Sequence, residues 1–165
     1  MMIRNMAILV VSVFCSGLLY AKTPEVSLLH NWMIENYKSI ESNLEKKEGS
    51  KIVPTLFSLV EIWKRRDGAI SGEVSPLLLV ALKVEPQNTL LLLSESPESF
   101  DKWLNELDGM VFTDHTGNEA NRLEKLRVDV LATMKSYSRK QPDKLKSMAD
   151  ALIERLEVIN VSVID

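Results

Sequence analysis

The sequence predicts an all-α fold of six or seven helices. Three observations predict it. Apolar residues recur at three- and four-residue steps through most of the chain. Proline and capping residues punctuate those stretches at helix starts. One segment, Leu77 to Leu82, is apolar without a break, which suits a helix enclosed by others.

The first helix opens at Thr23-Pro24-Glu25, where threonine caps, proline suits the first turn and glutamate suits the positive dipole end. Val26, Leu29, Met33, Tyr37, Ile40 and Leu44 form its apolar face, and Lys46, Lys47 and Gly49 are its stop signals. A second helix runs from about Val53, with Pro54 near its start, to Arg66, and Asp67-Gly68 follows it. Leu56, Leu59, Val60 and Trp63 form its stripe. The third begins near Ser71 or Ser75 and contains the continuous apolar run. A short fourth helix starts at Pro86 and ends at Leu93. The fifth starts at Ser96-Pro97-Glu98, carries Phe100, Trp103, Leu104 and Leu107, and ends at Asp108-Gly109.

Residues 110–113 favour β structure within a connection. Thr116 and Glu119 then have capping-box spacing and open a long helix carrying Leu123, Leu126, Val130, Met134 and Tyr137. The last helix spans about 142–158, with Leu145, Met148, Leu152, Ile153 and Leu156 facing inward. The tail, 159–164, alternates only partly and is expected to be helical or unstructured rather than paired with 110–113.

Short helices in antiparallel succession around apolar ones, over about 53–107, resemble a HEAT- or armadillo-like solenoid. No motif repeats at a fixed period. An irregular orthogonal helical bundle is the alternative.

The N-terminus carries Arg4, then the apolar run 6–19, then Tyr20-Ala21 before polar residues. This is the pattern of a secretory signal peptide cleaved after Ala21. The run has 14 residues, short of the roughly 20 needed to span a bilayer. Phe14 stands where a lipoprotein signal requires a small residue before Cys15. The expected organisation is a signal at 1–21 and one helical domain at 22–165, exported to the periplasm or outside, without stable membrane insertion. The only cysteine of the 165 residues falls in the signal, so the exported domain has no thiol chemistry and no disulfide.

The whole chain carries a net charge of -3, and residues 22–165, with 19 basic and 23 acidic residues, carry -4. That balance does not favour nucleic acid. The charge is uneven. Residues 85–124 hold nine acids and two bases, a local charge of -7. Glu95, Glu98, Asp101, Glu106, Asp108 and Asp114 are the candidate surface for a basic envelope partner. The basic runs Lys64-Arg65-Arg66 and Arg139-Lys140 sit at helix C-termini, where the dipole explains them.

No cofactor is expected. Asp114, His115 and Glu119 are the nearest approach to a metal or acid–base cluster, but Glu119 has a capping role and His30 lies far away in sequence. Glu61, among apolar neighbours, is the candidate acid of a glycosidase, although Arg65 stands four residues on as an ion-pair partner. The leading expectation is therefore an exported, noncatalytic interaction or inhibitor module. The alternative is an exported cell-wall glycoside hydrolase using Glu61 or Glu119.

Overall fold

A computed structural model describes residues 26–47, 49–140 and 144–164. The segment expected to be a signal peptide and the cap expected at Thr23 lie outside the described residues. The elements are α1 (Val26–Glu45), α2 (Gly49–Lys64), α3 (Gly68–Val84), α4 (Pro86–Leu93), α5 (Pro97–Met110), β1 (Thr113–Asp114), α6 (Ala120–Ser138), α7 (Lys144–Val158) and β2 (Ser162–Val163). The fold is all-α, as the periodicity predicts.

The apolar run of α3 sits at the centre. Every residue from Leu77 to Leu82 is buried, and α3 packs against α1, α2, α4, α5 and α6. Burying one such side chain contributes roughly 1.5–3 kcal/mol before the cost of ordering it. A solenoid helix touches only its neighbours in the stack. Here α6 returns onto α3, and α7 onto α4 and α5, so the arrangement is the irregular bundle. The buried apolar residues form one contiguous cluster.

One polar pair is matched inside this core. Trp103 Nε1–H donates to the hydroxyl of buried Ser75 at 2.9 Å. Trp63 and Trp103 meet edge-on, 6.4 Å apart and 88° between planes, the geometry their ring quadrupoles favour. Both are core residues, as their stripes predict.

Several boundaries differ from the sequence expectation, each for a local reason. Lys47, not Gly49, turns the chain, adopting φ 53°. Its N–H bonds the Leu44 carbonyl at 3.0 Å. Gly49 therefore opens α2, and Pro54 lies inside it. The Ser50 carbonyl loses its i+4 donor to Pro54, but both residues are exposed, where water serves instead. Asp67 does not end α2; its carboxylate caps α3 by accepting from Ile70 N–H at 3.0 Å. Gly109 stays helical within α5.

The tail is the clearest reversal. Instead of being helical or unstructured, β2 pairs in parallel with β1, Thr113 opposite Ser162 and Asp114 opposite Val163. Ser162 N–H donates to Phe112 O at 2.9 Å and Ile164 N–H to Asp114 O at 3.0 Å. Ile159, 3% exposed, anchors the approach.

Candidate functional site

The acidic stretch is not one free face. Among its nine acids, seven are held by partners within the chain. Glu95, after α4, meets Lys64 at 2.9 Å. Glu106 on α5 meets Arg66 at 3.4 Å and Lys102 at 3.5 Å. Asp108 meets Arg155 of α7 at 3.0 Å. Glu98 and Asp101, in the first two turns of α5, are exposed and have no ion-pair or hydrogen-bond partner among the described residues.

Arg66 shows why the paired acids belong to the fold. Its side chain is only 4% exposed, and its guanidinium lies 4.9 Å from the centre of the Trp63 ring. It donates to Ser99 Oγ at 2.7 Å, Ser99 O at 3.1 Å and Trp63 O at 2.8 Å. Burial lowers its pKa, and Glu106 acts against that shift. Lys64 shows the opposite balance. Burial opposes its charge, but hydrogen bonds to Glu95 and Glu61 prevail and raise its pKa. Arg155 joins α7 to α5 through Leu104 O, at 2.9 Å, as well as through Asp108.

Asp114 does not belong to the surface. It is 1% exposed, and its carboxylate accepts five hydrogen bonds. Oδ1 takes Thr116 N–H, Thr116 Oγ1–H and Gly117 N–H at 2.8–2.9 Å. Oδ2 takes Glu119 N–H at 2.7 Å and Ala120 N–H at 2.8 Å. Burial opposes the charge, but these bonds prevail and bring the carboxyl down to about 2. The expected Thr116–Glu119 capping box is accordingly replaced. A carboxylate with two charged acceptors outcompetes a neutral hydroxyl for the orphan donors of α6. Gly117, at φ 72°, lets the loop fold back over it. The Glu119 side chain pairs with Arg122 instead.

These bonds also dispose of the suggested Asp114–His115–Glu119 cluster. Asp114 is saturated, Glu119 is paired and His115 is exposed. Among the described residues, no three His, Cys, Asp or Glu side chains are grouped to hold a metal. His30 on α1 meets Glu73 on α3 at 2.5 Å and so joins two helices. Glu61, 13% exposed, meets Lys64 at 3.2 Å and Arg65 at 3.5 Å, the i,i+4 pair expected from the sequence.

Two clefts are relevant. One, of about 290 Å³, lies between α1, α3 and α6. Its charges cancel in pairs, Lys83 with Glu45, Arg122 with Glu41 and Lys125 with Asp129. The second, of about 200 Å³, lies between the start of α5 and α7, lined by Pro97, Phe100, Asp101, Ser147, Met148 and Ala151. Neither contains Glu61 or Glu119. The second cleft was missed in the sequence because Phe100 and Met148 read simply as inward-facing. Only the packing of α5 on α7 brings them together with Asp101.

No protein-family model, curated protein or solved structure matches this chain. Among the described residues, no helix is long and apolar enough to cross a membrane.

Proposed function

We propose that the chain acts after export as a noncatalytic binding protein, docking a basic protein of the envelope through the start of α5. The observation that carries this reading is the isolation of Glu98 and Asp101. The other acids of the stretch have partners inside the chain, whereas these two face solvent with none among the described residues. Unsatisfied like charges at a surface attract a partner of opposite charge, speed its encounter and fix its register. The signal-like N-terminus supports a function outside the cytoplasm. Glu98 also gains from the α5 dipole, but that gain does not extend to the second acid, Asp101.

The test is a binding assay on basic envelope proteins recovered with the chain, repeated with Glu98→Lys/Asp101→Lys. The expected result is loss of binding with an unchanged circular dichroism spectrum, and a wild-type affinity that weakens as salt rises. Undiminished binding by the folded variant would contradict the reading. So would cell-wall hydrolysis by the wild-type chain that disappears in Glu61→Gln or Glu119→Gln.

A further inference from the structure

We infer that the cleft between α5 and α7 is a socket for one arginine side chain of that basic partner. This rests on the docking reading and adds where the partner inserts and with which residue. The cleft has two chemically distinct parts. Its floor is apolar: Phe100 is 2% exposed and Met148 9% exposed, with Ala151 beside them. The floor is also held in place, since the Phe100 ring packs at 5.9 Å from Trp103 in the core.

Its rim is acidic. Asp101 lines the cleft directly. Glu98 does not line this cleft but the adjoining one, which shares Pro97; three residues before Asp101 on the same helix, it lies on the same side and within reach of a forked cation. Neither is neutralised by a cation of this chain among the described residues.

An apolar floor beneath a carboxylate rim matches a side chain with an aliphatic stem and a cationic head. Lysine and arginine both have that form. Arginine fits better here, because its guanidinium is weakly hydrated and its planar fork of donors serves two carboxylates at once. The stem lies over Phe100, Met148 and Ala151, and the fork reaches Asp101 and Glu98. The cleft between α1, α3 and α6 offers no such match, because each of its acids already faces a cation.

The probe is acetyl-Leu-Arg-Leu-amide, titrated into the full chain with carbon-13 labels on methionine and alanine methyls. The expected result is saturable movement of the Met148 and Ala151 signals. The same peptide with neutral citrulline should bind about tenfold more weakly, the order of one charge-assisted hydrogen bond. Glu98→Gln/Asp101→Asn should lose the same factor. Ala151→Phe, which fills the floor and leaves the acids in place, should also abolish the Met148 response.

Equal binding of the citrulline peptide, or tighter binding of the lysine peptide, would overturn the assignment. Movement of the two signals on raising protein concentration alone would give the cleft to a second copy instead. Binding of the arginine peptide with Met148 and Ala151 unmoved would overturn the socket but leave the acidic docking face standing. Absence of binding by any basic peptide or basic envelope protein would overturn both.

Discussion

Helices α3 and α5 touch within the bundle and teach opposite lessons. In α3, composition decides everything: residues 77–82 are apolar, and all are buried. In α5 and the loop after it, one residue type takes three roles. Glu106 and Asp108 clamp other helices, Asp114 is a buried cap, and Glu98 and Asp101 face solvent with no partner among the described residues. An apolar side chain has one favourable destination. A carboxylate has several, and its neighbours in space choose among them.

The sharpest break in this contrast is a truncation in α3. Leu78→Ala should cost about 2–5 kcal/mol, since Leu78 is fully buried and the enclosing helices can only partly fill the void. Urea unfolding measures it, and a loss below about 1 kcal/mol would mean that α3 is not the centre of the bundle.

Removal of an α5 clamp should cost less. Arg66→Ala deletes hydrogen bonds to Ser99 and Trp63 and leaves Glu106 without its buried cation. A loss of roughly 1.5–3 kcal/mol is expected in the same unfolding measurement. A change within about 0.5 kcal/mol would place Arg66 among ordinary surface residues.

Asp114 gives a pH signature rather than a simple loss. Its folded-state pKa, about 2, lies below the unfolded value of about 3.9. Its stabilisation is therefore fully present above about pH 4 and declines as pH falls toward 2. Asp114→Asn should lower the melting temperature at pH 7 and narrow its difference from wild type between pH 4 and 2. A constant difference across that window would remove the carboxylate from the account of how α6 is capped.

The smallest effect on stability belongs to the free acids. Glu98→Gln/Asp101→Asn should change unfolding free energy by no more than about 0.5 kcal/mol. A larger loss would show that these acids support the fold after all.

The same contrast explains how much was legible in the sequence. The helices themselves were legible, because periodic apolar faces such as Phe100, Trp103, Leu104 and Leu107 encode burial directly. Boundaries failed where one polar residue serves either neighbour. Asp67 looks like an ending to α2 yet caps α3. Gly49 looks like a stop for α1, but Lys47 makes the left-handed turn.

The β1–β2 pairing was not legible, because a two-residue strand has meaning only beside its partner, and that partner is 49 residues away. The candidate site was half legible. Local charge marked the stretch that holds Glu98 and Asp101, but sorting its acids needed Arg66, 40 residues from Glu106, and Arg155 on α7.

The most direct measurement compares two acid neutralisations on α5 by peptide affinity and unfolding free energy together. For Glu98→Gln/Asp101→Asn, about tenfold weaker binding of acetyl-Leu-Arg-Leu-amide is predicted, with stability kept. For Glu106→Gln, wild-type affinity is predicted, with stability lowered by about 1 kcal/mol. The reverse pattern, with binding lost at Glu106 and stability lost at Glu98 and Asp101, would contradict the division between fold-holding and docking acids.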